Sequence, residues 1–341
     1  MSNTLNGCSL FENAFAVLET DQYASRGEII EAAETAALSK DEQAVQQARS
    51  VLTNPRMRLA SEMEWLPGIP AEQIPELLKS LEEGRFQLDS FSGMSELARA
   101  NAQVAKIELS DYGSNAVTAA SDISSLIELS DLMDAYEIFD EINEDREQAG
   151  IPAVLEEQQV AEKLEDIFHR YAKICIAALD RMETEAMVKA ATSVTSKLTS
   201  EGTEAAPTLL ADIIDAYSLA SQEFQTKAEE SMDYIYGKVW ADASNFTKAQ
   251  LVYLADQMKT MISDWAFVMQ PILLVDKTRG KESPRAMNIA NDLRSIGIKL
   301  NNKHHDKKSA IEITQFLLTT FSSCPDIYEK LLKDKSVLAR N

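Results

Sequence analysis

The chain has 341 residues, 45% of them hydrophobic, and a formal charge of −22. That apolar content suffices for a full core and excludes a disordered acidic tail, while the charge argues against general affinity for nucleic acid or an anionic membrane. With only 11 Gly and 9 Pro, turn formers are too few for a sandwich or barrel; an all-α fold in two or three units is expected.

In chain order, the run LFENAFAVLE predicts a short apolar helix built on Leu10, Phe11, Phe15, Val17 and Leu18, and TDQYAS a turn. Ser25 then caps a second helix, with Glu28 three residues on completing a capping box. Its apolar side is read as Ile29, Ile30, Ala33, Ala37 and Leu38. The polar link Ser39-Lys40-Asp41-Glu42 leads into a third helix ending near Leu52. At Asn54-Pro55 one helix stops and the next begins: Asn54 caps, and Pro55 takes a first-turn position where its missing N–H costs nothing. The stretch LPGIPAEQIP, residues 66–75, holds three prolines and a glycine and is the clearest boundary signal.

Beyond it, periodicity predicts helices near 71–83, 92–110, 115–124, 125–145, 153–180, 183–199, 208–236, 247–269, 284–300, 308–320 and 325–338. No apolar run reads as a strand. LSDLMDAYEI (129–138) and LADIIDAYSL (210–219) echo each other at a spacing of 81 residues, which points either to a duplicated helical unit or to ordinary reuse of amphipathic letters. Trp65, Trp240 and Trp265, with Tyr234, Tyr236 and Phe267, sit at helical spacing and are read as core.

Chemistry-bearing motifs are scarce. There is no Gly-rich phosphate loop, nucleophile elbow or kinase signature. Asp166 and His169 give half of a di-metal helix pattern, but no second pair completes it, so His169 is read as a helix-surface or partly buried imidazole. The pairs Asp131/Asp134 and Asp212/Asp215 share a helix face at their spacing; among 55 acids they read as solvated faces rather than cation ligands. Cys8, Cys175 and Cys324 are far apart and lack zinc spacing, which fits reduced thiols. The opening MSNTLNGCSLFENAF lacks the basic start and apolar core of a secretory signal, and a cytoplasmic protein is expected. No enzyme, metal or cofactor is expected.

Charge is uneven. Residues 276–341 hold 13 Lys/Arg against 8 Asp/Glu, a net of +5, so the preceding 275 residues carry −27. The bases cluster in KTRGKESPR (277–285) and KLNNKHHDKK (299–308). Lys277, Arg279, Lys281, Arg285, Lys303, His304 and Lys307 are candidates to clasp an acidic protein segment or a phosphate backbone; the alternative is that they offset the chain's own acids.

The order of the first unit resembles a J-domain: short helix, longer helix, polar link, Ala-rich helix, Asn-Pro corner, last helix. Ala48, Leu52, Asn54, Pro55 and Arg58 match the end of that fold. NPRMRLASEMEWLPG, INEDREQAGIP (142–152) and DLRSIGIKLNNKH (292–304) further resemble a bacterial DnaJ-like family that carries no established activity. The resemblance implies a co-chaperone partnering a DnaK-like ATPase. Two departures alter that expectation. Ser39-Lys40-Asp41 stands where working J-domains carry His-Pro-Asp, and the second helix, basic in the family, has Arg26 against Glu28, Glu31 and Glu34. Arg26, Lys40 and Asp41 are therefore candidate contacts of a divergent ATPase rather than an ordinary one. The expected architecture is all-α: a J-domain-like unit at 1–68, a helical bundle or helical-repeat body in two parts, 69–200 and 201–275, and a basic helical segment at 276–341.

Overall fold

A computed structural model describes residues 8–91, 93–241 and 246–340; the side chain of Trp240, expected in the core, lies outside what it describes. Among the described residues there are seventeen α-helices, two short 3-10 turns and no strand. The chain forms two compact units, one running to Ala190 and including Thr208–Ile213, the other comprising Ala191–Pro207 and Ile214 onward.

The first unit opens with α1 (Ser9–Glu12) and α2 (Ala14–Leu18), then α3 (Arg26–Ala36), α4 (Glu42–Leu52) and α5 (Pro55–Met63). The expected caps form. Ser25 and Glu28 make a reciprocal capping box on α3, and Asn54 Oδ1 accepts the amide N–H groups of Arg56 (3.0 Å) and Met57 (3.4 Å) at the head of α5. The stretch 66–75 is not a boundary, however, and residues 1–68 are not a self-contained unit. Leu66, Ile69 and Ile74 are buried in the same core as Phe15, Leu52 and Trp65. That core continues into Leu77 and Leu81 of α6 (Ile74–Glu82) and into Ala98, Ala102 and Ala105 of α7 (Glu96–Leu109). The prolines punctuate helices here without exposing the apolar residues between them, so the backbone turns inside the core.

Next come α8 (Ala116–Leu132), α9 (Ala135–Ala149) and α10 (Glu157–Asp180). The expected break at 124–125 is absent, since Ser125 bonds back to the Ser121 carbonyl (3.0 Å) and α8 runs on. The break falls at Met133, and Asp134 caps α9 by accepting from Tyr136 N (2.9 Å) and Glu137 N (3.1 Å).

The two units divide within α11 (Thr184–Leu198) and α12 (Thr208–Ala220). The helix expected over 208–236 is in fact two, interrupted at Ser221, whose Oγ donates to the Tyr217 carbonyl (2.9 Å). The echo at 129–138 and 210–219 therefore takes two different structures, a helix junction in the first copy and a continuous helix in the second, and gives no support to a duplicated unit.

The second unit continues with α13 (Gln222–Ala241), α14 (Lys248–Thr278), α15 (Pro284–His304), α16 (Lys307–Thr320) and α17 (Pro325–Arg340). Helix α14 passes through Pro271 and ends nine residues later than expected, because its apolar residues Ile272–Val275 are buried. Trp265 and Phe321 centre the core, their rings 6.3 Å apart. Gly297 lets α15 approach α16: a Cβ there would meet Ile313 Cγ2 at 3.3 Å. Tyr234 and Phe267, expected inside, are exposed, and Tyr236 is half-buried.

Candidate functional site

The α3–α4 connection is where a J-domain's activity would reside, and its residues have structural tasks. Lys40 Nζ donates to the carbonyl of Val17 (2.8 Å) and pairs with Glu19 (2.8 Å), which satisfies the C-terminal end of α2. Asp41 Oδ1 accepts from Ala44 N (2.9 Å) and caps α4. Asp41 is nevertheless exposed and Lys40 partly so. Arg26 is exposed in the first turn of α3. Around it the outward surface is acidic and apolar: Glu31, Glu34 and Glu42 are exposed, Ile30 is partly exposed, and Leu38 is 88% exposed. Leu38 was expected on the buried side of α3. The helix ends at Ala36, so Leu38 falls in the following turn and loses the helical phase.

The first unit also buries a group of charges that brings together two of the stretches singled out in the sequence. Arg58 is fully buried, lies over the Phe15 ring (5.2 Å), and donates from Nε to Glu62 Oε1 (2.6 Å) and from Nη2 to the Gln22 carbonyl (2.6 Å). Arg146, from α9, donates from Nε to Glu62 Oε2 (2.9 Å), from Nη1 to the Pro152 carbonyl (3.0 Å) and from Nη2 to the Pro55 carbonyl (2.9 Å). Glu62 is thus clamped between two guanidiniums and α5 is tied to α9. Beside it, Asp145 accepts from Gly68 N (3.1 Å). Burial pushes the carboxyls of Asp145 and Glu141 up, to about 6 and about 7 respectively. The spacing Arg58–Glu62 was a visible signal for an i,i+4 pair; the partner 84 residues away was not.

In the second unit the basic loops do not combine. They lie at opposite ends of α15, whose 21 residues span roughly 30 Å at the helical rise. Several of their bases are held by the unit itself. Arg279 makes a two-pronged pair with Asp215 (2.8 and 2.9 Å), Lys277 donates to the Glu201 carbonyl (2.9 Å), and Arg285 pairs with Glu229. Lys281 lies near both Asp215 and Asp276; the hydrogen bond from Arg279 holds the Asp215 carboxyl below its usual range, whereas burial pushes Asp276 up despite the nearby Lys281 and Arg279. At the other loop, His304 is half-buried in the last turn of α15, His305 turns the chain with φ 54°, Lys303 is exposed, and Lys307 begins α16 behind the cap Asp306.

The remaining candidates disperse. His169 is exposed, and Asp166 pairs with Lys163 (2.8 Å). Asp131 ends α8 whereas Asp134 caps α9, so they share no helix face; Asp215 is engaged by Arg279. Among the described residues no group of three His, Cys, Asp or Glu is placed to hold a metal, and no helix is long and apolar enough to cross a membrane. Burial holds the thiols of Cys8 and Cys175 up at about 12, which keeps them protonated and unreactive at neutral pH. An open groove of about 400 Å³ runs beside α2 and α4, floored by Ala14, Val17, Ala48 and Val51, with the Glu64–Arg170 pair (3.1 Å) at its edge.

Compared with protein-family models, curated proteins and solved structures, the chain matches none of them.

Proposed function

We propose that this is a non-enzymatic, cytoplasmic interaction protein, co-chaperone-like, whose degenerate J-like unit docks on a divergent DnaK-like ATPase or within a bacterial stress or defence assembly. The observation that carries this reading is the outer surface of α3 and its following turn. Leu38, in the turn after α3, is 88% exposed, and Glu31 and Glu34 of α3 and Glu42 at the start of α4 are exposed as well, while Lys40 reaches the Val17 carbonyl and Asp41 caps α4. A J-domain meets its ATPase with a basic helix and a His-Pro-Asp loop; this chain offers the reverse charge at that place. Opposite charge across an interface governs partner choice and encounter rate, so the matching ATPase surface is basic, with an apolar recess for Leu38.

The reading is tested by mixing the protein with DnaK-like ATPases encoded near its gene and measuring binding and ATP turnover. A complex weakened at least ten-fold by Leu38→Asp or by Glu31→Lys with Glu34→Lys is expected, with the protein's unfolding unchanged because all three side chains face solvent. Absence of both binding and any change in turnover across these ATPases sinks it. The alternative of nucleic acid gripped by the C-terminal loops is disfavoured by the separation of those loops along α15 and by the internal partners of Lys277, Arg279 and Arg285.

A further inference from the structure

We propose that the groove bounded by α15, α16 and α17 is a docking site for an acidic protein segment that carries one aliphatic or aromatic anchor side chain. The groove measures about 160 Å³, and Gly297 and Ile298 of α15, Ala310 of α16, and Val337 and Leu338 of α17 give it apolar walls. Ile298 is 40% exposed and Val337 55%, so apolar surface here is open to solvent rather than closed into the core. A space near 150 Å³ takes about one benzene-sized group, whereas a drug-sized ligand needs about 300–1,000 Å³. The dimensions therefore suit a single side chain presented by a longer chain. The lining residues of α15 run from Arg294 to Asn302, roughly 12 Å along the helix, which about four extended residues cross.

Charge selects the occupant. Residues 294–310 hold five Lys/Arg and one Asp, and residues 330–340 four Lys/Arg and one Asp, in a chain whose net charge is −22. Both acids are engaged. Asp334 forms a two-pronged pair with Arg294, one contact being 2.9 Å, and Asp306 caps α16 through Ser309 N (3.3 Å) and pairs with Lys248 (3.1 Å). Just beyond these stretches, Glu312 is offset by Lys308 (3.9 Å) and Glu329 by Lys333 (2.7 Å). The surplus of positive charge is felt locally: burial and the neighbouring Lys303 lower the pKa of Lys299. Lys307 stands three residues before Ala310 and Arg340 three residues after Val337, so each extends a helix face that lines the groove. An acidic segment finds its charge complement at this rim and a place for its anchor between the apolar walls. A phosphate backbone leaves those walls uncovered, and no aromatic ring lines the groove for a base to stack on.

Fluorescence anisotropy with the full chain tests this. The probes are a labelled ten-residue peptide of Glu and Asp with one central Leu, the same peptide with Ser in place of Leu, and a single-stranded oligothymidine. The Leu peptide is expected to bind at least about ten-fold more tightly than the other two. Val337→Asp, at an exposed wall residue, and Lys307→Glu combined with Arg340→Glu are each expected to weaken that binding at least about ten-fold, with helical content and thermal unfolding unchanged. Where a variant fails to fold, amide shifts in the unaltered protein locate the probe: titration with the Leu peptide is expected to move the signals of Gly297, Asn301 and Thr314 most. No measurable binding of the Leu peptide, equal affinity for the Ser peptide or the oligothymidine, undiminished affinity in Val337→Asp, or shifts confined to other elements overturns the proposal.

Discussion

Glu62 is 3% exposed and accepts from guanidiniums on either side, one of them its own helix neighbour four residues back, the other from α9. Such a triad contributes little net stability while intact, because desolvation of three charges offsets their attraction. Broken, it leaves buried charge without a partner. Glu62→Ala is accordingly expected to cost roughly 3–5 kcal/mol in urea unfolding, out of proportion to the few atoms removed, whereas replacing the triad by apolar residues of similar volume should be nearly neutral. A loss below about 1 kcal/mol for Glu62→Ala would mean that Arg58 and Arg146 relax toward water. Asn101 shows the same economy without charge: its amide donates to the carbonyls of Met63 (2.9 Å) and Trp65 (2.8 Å), closing α5, while its Oδ1 accepts from Tyr171 (2.7 Å). The sequence marked Arg58 as a match to the last J-domain helix and marked the DREQ stretch as distinctive. That both converge on one carboxylate depends on helix packing across 84 residues, which no local pattern encodes.

Elements were legible where their signals are short-range. Caps act over two or three residues, so Ser25 and Asn54 mark helix starts from the letters alone, whereas Asp134, read as part of a helix face, caps α9. Asn54→Ala is expected to lower stability by about 1 kcal/mol and to raise amide exchange in the first turn of α5, as two N–H groups lose their acceptor; unchanged exchange at Arg56 and Met57 would count against the cap. Elements were misread where the signal competes with burial. Serines at 124–125 and a proline at 271 look like breaks, but Ser125 bonds within α8 and the residues after Pro271 gain enough from burial to keep α14 continuous. The reverse occurs at Ser221, where an apolar pattern runs on but the helix does not. Of the face read for α3 only Ile29 and Ala33 are buried; Ile30, Ala37 and Leu38 are exposed, Leu38 the most of them.

At the scale of the whole molecule, the chain's proline-rich stretch proved to lie inside a core. A fragment of residues 1–68 lacks α6 and α7, which complete that core, and is expected to show no cooperative thermal transition, unlike the full chain. A sharp transition in the fragment would restore the boundary at 66–75. The sequence by itself determined the all-α class, through its composition, its 3.6-residue periodicity and caps whose physics is complete within one turn. Only the tertiary structure decided where the units divide, which faces are covered and which charges are matched. Arg279 meets Asp215 and Arg146 meets Glu62 across 64 and 84 residues of chain. The reason is range: a cap needs its next few neighbours, whereas burial and ion pairing depend on whichever segment packs alongside. The basic C-terminal loops, conspicuous as letters, are therefore partly neutralised as structure, and Leu38, read from the letters as core, stands exposed after a helix whose acidity the letters already showed.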